Sequence, residues 1–206
     1  MMNLFSRKSP TSQNSLSLGL LLTFVLVLLV IVSISPHLAS AEVDKCSNPG
    51  SKLANFTPEK PPRLSPVYPF FDAQDGELSI ADYKGQGVVL NFWATWCVPC
   101  IKEMPSLARL KELLSTDNIT VLALSQDRGG AKKVIPFLKK LGIEGLDALI
   151  DKKGTVARKS GVRGLPLTIL VDAEGFERGR LIGIAEWDSP QVVAFVRRCI
   201  GPRSSF

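Results

Sequence analysis

Gly87-Val88-Val89-Leu90-Asn91-Phe92-Trp93 runs directly into Ala94-Thr95-Trp96-Cys97-Val98-Pro99-Cys100-Ile101-Lys102-Glu103-Met104-Pro105. The first seven residues are almost wholly apolar, which reads as a strand buried on both faces. From Pro99 to Ser115 the period becomes helical, with Ile101, Met104, Leu107, Leu110, Leu113 and Leu114 on one stripe. Two cysteines three positions apart therefore fall where a strand ends and a helix begins. Such a pair can form and break one disulfide. The chain reads as an electron carrier rather than a hydrolase or a binding module.

The helix start gives the two thiols different chemistry. Unpaired N–H groups and the macrodipole at a helix N-terminus favour negative charge, so Cys97 is the expected thiolate. Cys100, one turn deeper, is the expected resolving thiol. Pro99 suits an early helical position, where no backbone donor is lost. Pro105 lies further inside and predicts a kink. Glu103 comes three residues after Cys100 and shares its helix face. It reads either as the acceptor of the Cys100 proton or as an ordinary solvated glutamate. Asn91 is no candidate for that task, because an amide does not titrate. Trp93 reads as core, Trp96 as a surface ring framing the thiol.

A zinc site is the structural alternative for a CxxC. Zinc takes four ligands, commonly two CxxC pairs or cysteines with histidines. There is no second CxxC, and the single histidine, His37, abuts an apolar segment. No metal and no cofactor are expected. Without a histidine partner, Cys97 should be less acidic than the thiol of a strongly oxidising dithiol.

Further strands are expected at Ile119 to Ser125, around Ala148 to Asp151, at Pro166 to Asp172 and at Arg178 to Ile184. Helices are expected at Ala131 to Leu141, Thr155 to Ser160 and, capped by Ser189, up to Ile200, with Gly201-Pro202 as the stop. Phe70-Phe71-Asp72-Ala73 and Leu78-Ser79-Ile80 flank Asp75-Gly76, a hairpin signal. Strand-helix-strand-helix followed by strand-turn-strand-helix predicts an α/β domain with a central mixed β-sheet flanked by helices.

Toward the N-terminus the composition changes. Residues 16–35 carry no charge and are almost all apolar. The run approaches the roughly 20 residues of a bilayer span, beyond the about 7–15 of a signal-peptide core. Arg7 and Lys8 precede it, which keeps residues 1–15 as a cytoplasmic tail and exports the chain beyond residue 35. Ala39-Ser40-Ala41 offers a cleavage pattern, so a removed signal peptide is the rival to a transmembrane anchor. Residues 36–66 are proline-rich and read as a semi-stiff linker, leaving residues 67–201 as the folded domain. Export disfavours nucleic acid as a partner.

Net charge is +6, and from Glu42 onward 23 basic and 19 acidic residues leave +4. Lys132-Lys133, Lys139-Lys140, Lys152-Lys153 and Arg197-Arg198 are scattered. They read as solvated faces or as a docking patch for an acidic partner. An exported compartment permits disulfides. With Cys97 and Cys100 paired by their spacing, Cys46 and Cys199 remain. Cys199 sits on the apolar stripe of the last helix. It is either a buried free thiol or the partner of Cys46, a link worth roughly 4–5 kcal/mol in the chain-entropy model.

The string from Asn91 to Pro105 resembles the active-site signature of the TlpA-like branch of the thioredoxin superfamily. FDAQDGELSIADYKGQGVVL resembles that branch's N-terminal β-hairpin extension, GVRGLPLTILVDAEG its cis-proline strand and turn, and LIGIAEWDSP its C-terminal part. The likeness covers about residues 67–200. It implies a thioredoxin fold and a thiol–disulfide oxidoreductase in the bacterial inner membrane. A single N-terminal transmembrane helix, or a cleaved signal, would place the catalytic domain in the periplasm. Members usually act as reductants of periplasmic protein disulfides. Client proteins implied are apocytochromes c in cytochrome c maturation, or proteins of cytochrome oxidase copper-site assembly, with a membrane electron donor. The family's cysteines map to Cys97 and Cys100, its buried acid to Glu103 and its cis-proline to Pro166. Trp96, Val98, Pro99, Leu165 and Pro166 are the expected client contacts.

Two positions depart from the branch. Ile101 stands where a basic residue is common, and Leu167 where threonine is usual. A thiol oxidase or isomerase is the nearest alternative. A peroxidase is more distant: it would want Thr or Ser at position 94 and Pro at 90, where Ala94 and Leu90 stand. A copper chaperone would want His or Met beside the dithiol, and only Met104 is near.

Overall fold

The computed structural model describes residues 45–47 and 50–202. Eight strands form one sheet: β1 (Phe56–Leu64), β2 (Phe70–Phe71), β3 (Glu77–Leu78), β4 (Gly87–Trp93), β5 (Ile119–Ser125), β6 (Leu149–Ile150), β7 (Leu167–Val171) and β8 (Phe176–Ile182). Four α-helices accompany them: α1 (Val98–Leu113), α2 (Ala131–Lys140), α3 (Thr155–Lys159) and α4 (Pro190–Ile200). The strand order is β1-β8-β7-β4-β5-β6-β2-β3. β4, β5 and β6 run parallel, and β7 lies antiparallel to β4, so the sheet is mixed.

β4 is buried at all seven positions because helices cover both faces of the sheet. Its side chains alternate as a strand requires. Val88, Leu90 and Phe92 join a core with Val156 and Ala157 of α3 and Ile80 of a short 3-10 helix. Val89 and Trp93 join a core with Met104 and Leu107 of α1, Val134 and Leu138 of α2, and Val192, Phe195 and Val196 of α4. Asn91 shares the second face, so this one polar residue of the strand points at the layer that carries the dithiol.

The proline-rich linker is where the structure departs from expectation. Residues 56–64 are not a spacer but β1, the edge strand of the sheet, paired with β8. Pro58, Pro61 and Pro62 are tolerated there because an edge strand leaves half its donors unused. The register shifts between Pro58 and Arg63. Phe56 is buried and meets Phe195 of α4 edge-on, with ring centroids 5.0 Å apart. Gly179 of β8 permits this, since a Cβ there would lie 2.4 Å from the Phe56 ring. Ahead of β1, Leu53 and Cys46 are buried, and Cys46 is joined to Cys199 of α4 by a disulfide. The folded body therefore begins well before residue 67.

β2 and β3 pair antiparallel around a turn in which Asp72 Oδ1 accepts from the N–H groups of Gln74 and Gly76. α1 runs on through Pro105. Ser189 stands at the N-cap of α4 but makes no side-chain capping bond. No helix among the described residues is long and apolar enough to cross a membrane. The segment 16–35, read as an anchor or signal, and the tail 1–15 lie outside the described residues.

Candidate active site: a dithiol and two buried carboxylates

Cys97 is the N-cap of α1, and its Sγ accepts the Cys100 N–H at 3.3 Å. The Cys97 carbonyl accepts from Ile101 at 3.1 Å, which begins the helical ladder. Val98 and Pro99 fill the first two helical positions, where the missing proline donor is not needed. Cys97 and Cys100 are joined as a disulfide. Cys97 retains 6% exposure while Cys100 has none. Trp96 and Val98 project beside them at 64% and 62% exposure, and Trp93 is buried.

The register of the sheet brings Pro166 to the same edge. β7 opens with Leu167 opposite Phe92, so its start lies level with the end of β4. The Leu165–Pro166 bond is cis, and the Pro166 carbonyl accepts from Gly183 N–H at 3.0 Å.

Glu103 is not a solvated helix residue: it is 2% exposed. Its Oε1 accepts from Asn91 Nδ2 at 2.9 Å, and its Oε2 from Trp187 Nε1 at 2.9 Å and Ala185 N–H at 3.3 Å. Asn91 Nδ2 also donates to Thr168 Oγ1 of β7. Burial pushes the Glu103 carboxyl above its ordinary range, and the donors from Trp187, Asn91 and Ala185 only partly oppose this.

A second buried carboxylate is bonded to the turn that precedes Cys97. Asp127 comes just after β5 and is 1% exposed. It accepts from the Thr95 N–H at 2.8 Å, the Thr95 hydroxyl at 2.7 Å and the Ser125 hydroxyl at 3.0 Å. Lys133 Nζ lies 2.9 Å from its Oδ1. Burial raises this carboxyl too, but the Thr95 amide, the Lys133 ammonium and the two hydroxyls outweigh it and hold the group below its usual value. Asp127 thus grips both polar groups of the residue two places before Cys97.

Of the expected residues, Cys97, Cys100, Trp96, Val98, Pro99, Leu165 and Pro166 lie at or next to one sheet edge, and Glu103 lies one turn along α1. Cys46 and Cys199 lie apart from them, where the segment ahead of β1 meets α4. Sequence reasoning set Asn91 aside because an amide does not titrate, whereas its amide donates to the carboxylate that does; it singled out neither Trp187 nor Asp127. Asn91 was readable as the lone polar residue of an apolar strand. Trp187 and Asp127 carried no such signal. Among the described residues, no group of three or more His, Cys, Asp or Glu is placed to hold a metal ion.

The mixed sheet, the two helical layers and the dithiol at the start of α1 define a dithiol protein of thioredoxin-like fold. The chain belongs to the AhpC/TSA family, whose model matches residues 49–178. Among curated relatives, a thiol-disulfide oxidoreductase ResA of Bacillus thuringiensis subsp. konkukian is 34% identical over 123 residues, covering 58% of this chain and 70% of its own. The ResA of Geobacillus thermodenitrificans is 35% identical over 127 residues, covering 59% and 71%. Among solved structures, a Chlorobium tepidum protein assigned as thiol:disulfide interchange protein DsbE matches 66% of this chain and 96% of its own at 25% identity, with a TM-score of 0.58. StoA from Bacillus subtilis shares the fold at 21% identity over 64% of this chain and 97% of its own, with a TM-score of 0.53.

Proposed function

We propose that the protein is a thiol–disulfide oxidoreductase that reduces disulfides of client proteins outside the cytoplasm. The observation that carries this reading is the asymmetry of the dithiol. Cys97 caps the helix, retains exposure and has a backbone N–H directed at its sulfur, while Cys100 is sealed. In the reduced protein the Cys97 thiolate attacks a client disulfide. One client sulfur leaves as a thiolate, and the other is held in a mixed disulfide. Cys100 then attacks Cys97 Sγ, its proton passes to Glu103, and the second client sulfur departs. Two electrons have moved to the client, and the Cys97–Cys100 disulfide remains for a membrane donor to reduce.

Trp96, Val98, Pro99, Leu165 and Pro166 form the client-contacting edge in this reading. Cys46–Cys199 stands outside the cycle as a structural link. The segment 16–35 would export the domain and tether it, or be cleaved to leave it soluble in the periplasm. Apocytochromes c and proteins of copper-site assembly are the client classes that the resemblance supports. Peroxidase chemistry is disfavoured by Leu90 and Ala94, both buried and apolar where that chemistry wants proline and a hydroxyl. The nearest rival is an oxidase or isomerase.

Equilibration with thiol redox buffers separates the two. The expected potential lies nearer about −270 mV than about −120 mV, the range spanned by reducing and oxidising dithiols of this kind. A value near the upper end would reverse the direction of electron flow.

A further inference from the structure

Four of the loops at the dithiol edge carry exposed charge of one sign. β4, β5 and β6 are parallel, and their registers place Trp93 level with Ser125 and Ser125 level with Ile150. Residues 94–97, 126–130 and 151–154 therefore leave the sheet at one edge. Residues 160–166 enter β7 at that same edge. The loops are fastened together: Gln126 N–H donates to the Trp93 carbonyl at 2.8 Å, and Asp151 N–H to the Ser125 carbonyl at 2.8 Å. Lys152 packs against Gly130 so closely that a Cβ there would lie 2.5 Å from its Cε.

On these four loops the exposed charged residues are Arg128, Lys152, Lys153 and Arg163. The two acids, Asp127 and Asp151, are buried. Asp127 is spent on Thr95, Ser125 and Lys133, and Asp151 on the N–H groups of Thr155 and Ala157 at the start of α3. Lys152 pairs with exposed Asp75 at 2.8 Å. Arg128, Lys153 and Arg163 form no ion pair with another described residue. A fifth loop at this edge, residues 183–189, carries Glu186 and Asp188, but Lys52 pairs with the first and Arg109 with the second, so on these five loops the exposed charges left without an ion pair to a described residue are all basic.

We infer that Arg128, Lys153 and Arg163 form a docking rim for a redox-partner protein whose exchanging cysteine is set in an acidic surface. The inference rests on the oxidoreductase reading and names the chemistry of the partner. Trp96 and Val98 supply the apolar centre of the interface, and the bases supply its rim. A rim of this kind raises the encounter rate and fixes orientation more than it adds affinity. A phospholipid surface also attracts bases. A partner on this edge sits over Cys97, however, and a headgroup has no sulfur to exchange.

The test uses the reduced full chain and two peptide disulfides identical except for flanking Asp/Glu or Lys/Arg. A neutral disulfide, bis(2-hydroxyethyl) disulfide, serves as reference. The acidic peptide should react on the order of tenfold faster at low salt, with the gap closing at about 0.5 M salt as screening shortens. The triple variant Arg128→Glu/Lys153→Glu/Arg163→Glu should lose or invert the preference and reduce the neutral disulfide at the wild-type rate. Equal rates for both peptides, or a preference that survives the triple variant, overturns the inference. So does charge-dependent binding to phosphatidylglycerol vesicles, abolished in the triple variant, with no peptide preference. If the neutral disulfide is not reduced at all, the oxidoreductase reading fails and takes the rim with it.

Discussion

Glu103 and Asp127 flank the dithiol in the chain's contacts, one on the helix that carries Cys100 and one bonded to Thr95 before Cys97, at 2% and 1% exposure, and burial raises the proton affinity of both. They end on opposite sides of the ordinary carboxyl range because their donors differ. Glu103 receives neutral groups: an indole, a side-chain amide and one backbone amide. Asp127 receives a backbone amide, two hydroxyls and an ammonium. An ammonium and close hydroxyls fix a carboxylate as an anion, whereas neutral donors leave it able to exchange a proton. The first is therefore suited to move the proton of the resolving thiol. The second is suited to hold the turn that presents Cys97.

Replacing each acid by its amide puts that division to the strongest test. Glu103→Gln should slow resolution of a mixed disulfide about a hundredfold near neutral pH, the lower end expected for a lost proton acceptor. Its pH dependence should flatten. Asp127→Asn should keep the pH profile and change the rate by only a few fold. Stopped-flow tryptophan fluorescence reads both. A flattened profile in Asp127→Asn, with a normal one in Glu103→Gln, would exchange the two roles.

Truncation of Asp127 examines the positioning half. Asp127→Ala orphans the Thr95 N–H and hydroxyl in a buried site, which should cost about 2–4 kcal/mol in denaturant unfolding. A loss under ~0.5 kcal/mol would mean that the turn before Cys97 is held by something else.

The smallest effect is the most diagnostic of the two charge states. Glu103 binds its proton more tightly folded than unfolded, so its contribution is present in acid. It is lost as pH rises above the ordinary value of 4.5 through the higher folded value. Asp127 holds its proton less tightly when folded, so its contribution is present above its ordinary value of 3.8 and is lost as pH falls below it. Relative to wild type, Glu103→Gln should gain stability as pH rises through the first window. Asp127→Asn should gain as pH falls through the second. Slopes of the same sign in the two variants would erase the contrast.

The sequence was readable where the signal was local. Gly87–Trp93 and Ile119–Ser125 announced themselves as apolar runs, and Cys97 as a helix start. Glu103 was placed by its three-residue step from Cys100. The partners that give it its chemistry lie 12 and 84 residues away, in Asn91 and Trp187. Asp127 reaches Thr95 across 32 residues. Side-chain partnerships at such separations leave no period in a sequence. β1 was hidden for another reason. Its prolines read as a spacer because proline is excluded from central strands, and nothing in the order of residues says that a strand will lie at an edge.

Mass spectrometry of mixed disulfides with a peptide disulfide probes the central claim most directly. With Cys100→Ser, the reduced protein should accumulate one peptide covalently attached at Cys97. With Cys97→Ser it should accumulate none, because Cys100 is sealed. Attachment to Cys100 in the Cys97→Ser variant, with none in Cys100→Ser, would contradict the assignment of attacking and resolving thiols.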